Sequence, residues 1–248
     1  LESRHILKFA RAADMVFMIG VRLWLFGCFF ALFLPATAGE ITGTISITKG
    51  LTKPKVTLPA YQGRGPALPY AQVEHAEPAS IADELGRVVV YIESDRMASP
   101  TPIRAEISQR NRGFVPEMAI ITAGSTVSFP NMDLIFHNVF SLSKVKEFDL
   151  GRYPAGETRS IKFDKPGVVK VHCHLHPNMA ATIVVVPGDW YARPEIDGGF
   201  RMEGVPAGQY TAVAWHNSIG FSKKRIHVTD SGSVTVNFAI PLRDRVEE

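Results

Sequence analysis

Cysteine is scarce, with two residues in 248, too few for a disulfide scaffold. Basic clustering is weak as well: no basic run is longer than Lys223-Lys224-Arg225 and the formal net charge is +3, so the electrostatic footprint of a nucleic-acid binder is missing. No stretch sustains a helical period, and no apolar run reaches the ~20 residues that a membrane span needs. What is present is ordinary for a folded chain. A hydrophobic content of 46% and a charged content of 21% exclude an intrinsically disordered protein, and the length fits one large domain or two smaller ones.

Residues 1–38 read as an export leader. Arg4, Lys8, Arg11 and Arg22 precede an uncharged apolar run from Leu23 to Leu34, and Pro35-Ala36-Thr37-Ala38 then supplies an A-x-A pattern with cleavage expected after Ala38. The alternative is a retained anchor, but extending the apolar run back to Met15 would bury Arg22. Cleavage removes four of the 27 basic and two of the 24 acidic residues, leaving a net charge near +1 and a single cysteine, Cys173. A periplasmic or otherwise exported setting with no permanent membrane span follows. An unpaired thiol there is a liability unless it is buried, paired with another chain or bound to a metal.

The remainder reads as all-β. Ile41 to Ile47 alternates, Arg87 to Ile92 is β-branched, and Ala119–Phe129, Val168–His172, Thr182–Val186, Tyr210–Trp215 and Ser233–Phe238 are short strands bounded by Gly, Pro, Asn or Asp. Turns fall at Asn131-Met132-Asp133, Pro154-Ala155-Gly156, Lys165-Pro166-Gly167, Asp197-Gly198-Gly199 and Pro206-Ala207-Gly208, a spacing expected of β-sandwiches. Residues 49–80 form a Pro/Gly-rich stretch read as a long surface loop.

The chemistry is concentrated in Val171-His172-Cys173-His174-Leu175-His176-Pro177-Asn178-Met179. On a strand, residues 169, 171 and 173 share one face and 170, 172 and 174 the other, so Cys173 points inward and His172 and His174 outward. Pro177 helps end the strand, and the loop can fold His176 and Met179 over the cysteine. With one imidazole from a distant strand, this supplies the two imidazoles, thiolate and weak thioether of a blue-copper centre.

That imidazole is expected at His137. The segment before it resembles the cupredoxins, whose copper-binding His is followed by Asn and preceded by a G-x-x-V-x-F-x-N-x-D strand and turn; the matching residues are Gly124, Val127, Phe129, Asn131, Asp133 and Asn138. The C-x2-H-x2-M loop matches the amicyanin and pseudoazurin spacing, and the resemblance covers roughly residues 102–187. It implies one type 1 copper ion held by His137, Cys173, His176 and Met179, with Asn138 steadying the cysteine loop. It also implies an electron-transfer surface at His176, Pro177 and Asn178, and an exported redox partner such as a c-type cytochrome or a dehydrogenase.

Asp197 to Tyr210 resembles the D-G-x-F-x-x-x-x-V-P-x-G-x-Y signature of carboxypeptidase-regulatory-like, Ig-type modules, while the opening strands of such a module are resembled by Gly39–Ile47 and Val88–Ile92. The expected architecture is therefore a cupredoxin Greek-key β-sandwich at 102–187 inserted into a discontinuous Ig-like β-sandwich made of 39–96 and 188–243. The whole is similar to exported methylamine-utilisation-type cupredoxins, a resemblance that fixes no pathway.

One-electron transfer between Cu(I) and Cu(II), without enzymatic turnover, is the leading expectation. A periplasmic copper carrier or tolerance protein would use the same ligands. A zinc hydrolase built on His172, His174 and His176 leaves Cys173 unexplained and has no Asp or Glu adjacent in sequence. A metal-free adhesion module led by the Ig-like part is the third class. A copper-A centre needs two cysteines and is excluded, and His75, His216 and His227 read as ordinary surface or core residues.

Overall fold

The protein is described by a computed structural model over residues 38–48 and 79–240. The expected export leader as far as residue 37, the expected surface loop from 49 to 78, and residues 241–248 lie outside the described residues. In chain order the elements are β1 (Gly39–Ile47), α1 (Ile81–Leu85), β2 (Val88–Glu93), β3 (Arg104–Glu106), β4 (Ser108–Arg110), β5 (Gly113–Val115), β6 (Met118–Thr122), β7 (Ser125–Pro130), β8 (His137–Ser143) and β9 (Lys146–Tyr153). They continue with β10 (Thr158–Phe163), β11 (Gly167–His172), β12 (Ala180–Val186), β13 (Tyr191–Ala192), β14 (Gly199–Val205), β15 (Gly208–His216), β16 (Gly220–Val228), β17 (Ser233–Thr235) and β18 (Phe238–Ile240). The fold is all-β, as the alternation predicts. No helix among the described residues is long and apolar enough to cross a membrane.

Two sandwiches account for most strands. In one, the sheet β6-β12-β11-β8-β9 faces the sheet β10-β7-β3, enclosing a core that includes Ile121, Val127, Phe129, Val169, Val171 and Ile183. In the other, β14-β1-β17, with β18 also on β1, faces β13-β2-β15-β16 across Ile41, Ile45, Val90, Ile92, Phe200 and Ala214. β1 thus pairs with β14, β17 and β18, strands more than 150 positions later in the chain by their numbering. Thr101 and Asp189, where the chain passes between the sandwiches, are tied by Thr101 N–H donating to Asp189 Oδ1 at 2.8 Å.

A third apolar cluster joins the sandwiches. Val89 and Tyr91 of β2 and Val213 and Trp215 of β15 pack with Val184 and Val186 of β12. This explains why β2 (VVVYIE) and β12 (AATIVVV) are nearly continuous apolar runs rather than alternating ones. Each is buried on both faces, one toward its own core and one toward the neighbouring sandwich.

Local differences from the sequence reading have physical causes. Ala119–Phe129 is two strands, because the chain turns at Gly124, whose φ of +88° suits glycine and where an added Cβ would come within 3.2 Å of Pro102. Ser233–Phe238 is likewise split into β17 and β18, between which Val236 N–H donates to Thr42 O at 2.8 Å. The helix α1 was not expected. Its five residues are too few to show a period, yet Ser80 and Asp83 form a capping box that marks its start.

Candidate metal centre

β11 delivers the cysteine. Val169, Val171 and Cys173 are buried, Lys170 and His172 are half-buried and His174 is exposed, so the alternation continues one residue past the strand end at His172. The following loop closes on itself: Met179 N–H donates to His176 O at 3.0 Å and Cys173 N–H to Met179 O at 3.3 Å. Met179 is fully buried in the same core as Cys173, and Pro177 and Asn178 are exposed at the loop tip.

β8 delivers the second imidazole from the neighbouring strand. The turn before it is organised by the fully buried Asn131, whose Nδ2 donates to Ile135 O at 2.8 Å and Tyr153 O at 3.1 Å and whose Oδ1 accepts from Asp133 N–H at 3.0 Å. His137 then enters β8 fully buried.

The result is a convergent donor set. One ligand-type atom from each of His137, Cys173 and His176 lies within 4.8 Å of the others. His137 Nδ1 and His176 Nδ1 are 3.1 Å apart, and Cys173 Sγ is 3.7 Å from His176 Nδ1. One thiol and two imidazoles meeting at a largely buried point is a soft, nitrogen-rich set that suits copper or zinc far better than magnesium or calcium. Burial holds the His176 imidazole below its usual pKa, and the charges of His137 and Arg112 add to this, so the ring favours the neutral form that a metal requires.

Asn138 bridges the two elements. Its backbone N–H points at Cys173 Sγ at 3.5 Å, its Oδ1 accepts from His174 N–H at 3.4 Å, and its Nδ2 donates to Asp149 Oδ1 at 2.6 Å. The His174 ring stacks on Phe140 at 3.7 Å, outside the donor set, and neither His172 nor His174 belongs to that set.

Known proteins give limited company. No family model matches the chain, and no curated protein does either. Solved structures similar to part of it include a purple cupredoxin from Nitrosopumilus maritimus, at 23% identity over 33% of this chain and 99% of that one, with a TM-score of 0.31. An amicyanin from Paracoccus versutus matches at 19% identity over 39% of this chain and 97% of its own, with a TM-score of 0.31. A copper-containing nitrite reductase from Thermus scotoductus SA-01 matches at 26% identity over 36% of this chain and 23% of its own, with a TM-score of 0.32.

The sequence places Asp133 in the motif before His137 but does not show its contact with that ring. No acid adjoins the histidines of the cysteine loop in sequence, but the turn places Asp133 Oδ2 2.7 Å from His137 Nε2. Burial works to raise the Asp133 carboxyl, and the N–H groups of Arg112 and Asn111 together with His137 outweigh it, holding the carboxyl below its ordinary value. The signal available was the i, i+4 spacing to His137 across a turn. Beside this acid, Leu134 is 96% and Phe136 56% exposed, and an open groove of about 420 Å³ is lined by Asn111, Arg112, Asp133, Leu134 and Ile135.

Proposed function

We propose that this chain is an exported one-electron carrier with a single type 1 copper ion held by His137, Cys173, His176 and Met179. The observation that carries the reading is the convergence of two imidazole nitrogens and one thiol from β8 and the loop after β11. Bound copper supplies a Cu(I)/Cu(II) couple. Cys173 would provide the anionic donor, His137 and His176 the neutral ones, and Met179 a weak thioether donor. Asn138 steadies the cysteine loop through its hydrogen bonds to Cys173 and His174. The tied, closed loop resists rearrangement, which keeps the reorganisation accompanying each electron low.

Electrons leave by the edge of His176 beside Pro177 and Asn178, toward an exported redox protein such as a c-type cytochrome or a dehydrogenase. The exposed apolar residues Met132, Leu134 and Phe136 support a contact surface near this site. We assign 102–187 to the copper domain and 39–96 with 188–243 to a discontinuous Ig-like domain around it, a division supported by the pairing of β1 with β14, β17 and β18.

The test is optical and chemical. The copper-loaded protein is expected to show an intense visible thiolate charge-transfer band that Cys173→Ser abolishes and His137→Ala abolishes or strongly alters. Survival of the band in Cys173→Ser overturns the ligand assignment. Fast self-exchange with retention of Cu(I) against a competing chelator fits an electron carrier, whereas ready surrender of Cu(I) with sluggish exchange identifies a copper carrier instead.

A further inference from the structure

We propose that Asp133 is a positioning residue of this centre: its carboxylate holds His137 with Nδ1 turned toward Cys173 and His176, and its fixed negative charge favours the more oxidised state of the metal bound there. The inference rests on the copper reading above. It begins from one contact, His137 Nε2 to Asp133 Oδ2 at 2.7 Å, in which an imidazole N–H donates to a carboxylate. A proton on Nε2 leaves Nδ1 with its lone pair free. That lone pair faces His176 Nδ1 at 3.1 Å, so without metal His176 Nδ1–H donates to it.

The carboxylate is itself built into place. Asn111 N–H donates to Oδ1 at 2.6 Å and Arg112 N–H to Oδ2 at 2.8 Å, so the tip of the β4–β5 hairpin grips both oxygens. These two successive N–H groups converge because Asn111 and Arg112 both adopt left-handed conformations, with φ of 53° and 56°. Two adjacent non-glycine residues in that region cost conformational energy, which a simple hairpin could avoid by placing glycine there. The pair forms a concave anion-binding nest, and the anion in it is the carboxylate facing the buried imidazole. Neither Asp133 oxygen is free to swing away from His137 without breaking a contact to the hairpin.

A negative charge beside a metal-bound imidazole makes the ring a stronger donor, and it interacts more favourably with a divalent than with a monovalent ion. Asp133→Asn keeps the size and an acceptor oxygen but removes the charge. The expected result is a loss of Cu(II) affinity of about 10- to 100-fold with a much smaller change for Cu(I), read by competition titrations with each ion. A tenfold change in the ratio corresponds to a rise in potential of about 59 mV for a one-electron couple. Asp133→Glu, which restores the charge, should return the potential toward that of the unchanged protein. Equal losses for the two ions, or no loss for either, overturn the proposal.

A second measurement needs no variant. In the metal-free protein the His137 Nε2–H proton should give a downfield, slowly exchanging NMR signal. Its absence also overturns the proposal. If copper produces no charge-transfer band in the unchanged protein, the copper reading fails, while the Nε2–H signal still reports separately on the Asp133–His137 contact.

Discussion

At the scale of single residues, the decisive property is what each side chain offers after burial. Cys173 is a buried thiol with a backbone N–H directed at its sulfur, an environment that suits a metal-bound thiolate. Met179 can be tested with little structural cost, because leucine has nearly its volume and such exchanges usually cost under about 1.5 kcal/mol. Met179→Leu is expected to retain copper and raise the reduction potential, since a weak donor is lost; an unchanged potential, measured by voltammetry, would remove Met179 from the ligand set. His172→Ala combined with His174→Ala should leave copper binding intact in an equilibrium titration, and its loss would return those histidines to consideration.

At the scale of elements, the short helix α1 and strand β15 are joined by a buried polar contact that the sequence reading treated as an ordinary histidine. His216 Nε2 lies 3.0 Å from Glu84 Oε2, both side chains are fully buried, and Arg87 approaches the same carboxylate at 3.7 Å. Ser218 N–H donates to His216 Nδ1, which fixes a neutral ring with its proton on Nε2. Burial depresses the His216 pKa below 6.5, and the attraction of Glu84 offsets this only in part. The unfolded chain therefore takes up a proton that the folded chain resists. Stability contributed by the neutral ring is complete above pH 6.5 and is lost as the pH falls toward the lowered folded value. Burial and then Lys170 depress His172 in the same direction. The melting temperature of the metal-free protein should fall on going from about pH 7.5 to about pH 5.5, and His216→Gln should flatten part of that slope. An unaltered slope would mean that His216 is protonated equally in both states.

At the scale of the whole molecule, the two sandwiches share an apolar interface instead of meeting through a linker alone. Trp215 is 3% exposed within that interface and carries the Lys170 ammonium over its ring at 5.5 Å. Arg193 adds a polar tie, donating to Gly86 O at 2.9 Å and to Met118 O at 3.0 Å. Trp215→Ala should cost about 3–5 kcal/mol and split a single calorimetric transition into two, since the coupling between the cores is weakened. A fragment confined to residues 102–187 would expose Val184 and Val186, which pack against β2 and β15 in the full chain. A single unchanged transition in Trp215→Ala would show that the sandwiches are coupled by other contacts.

Much of this was legible in the sequence for physical reasons. A side-chain period of two is local, so Val169, Val171 and Cys173 could be placed on one face before any partner strand was known. The C-x2-H-x2-M loop is likewise local, since Cys173 and Met179, six positions apart, are brought together by one loop of chain. The proline and glycine positions gave the turns, although Gly124 divided a run that looked continuous. What the sequence could not decide was anything carried by long-range pairing. The double burial of β2 and β12 depends on which sheets stack, and an apolar run alone does not say which faces it serves. His216 finds Glu84 across 132 positions, and the Asp133 carboxylate is aimed by N–H groups of a hairpin 21 and 22 positions earlier. Local rules supply the strands and the donor residues, and only the closing of distant segments onto one another sets where each donor points.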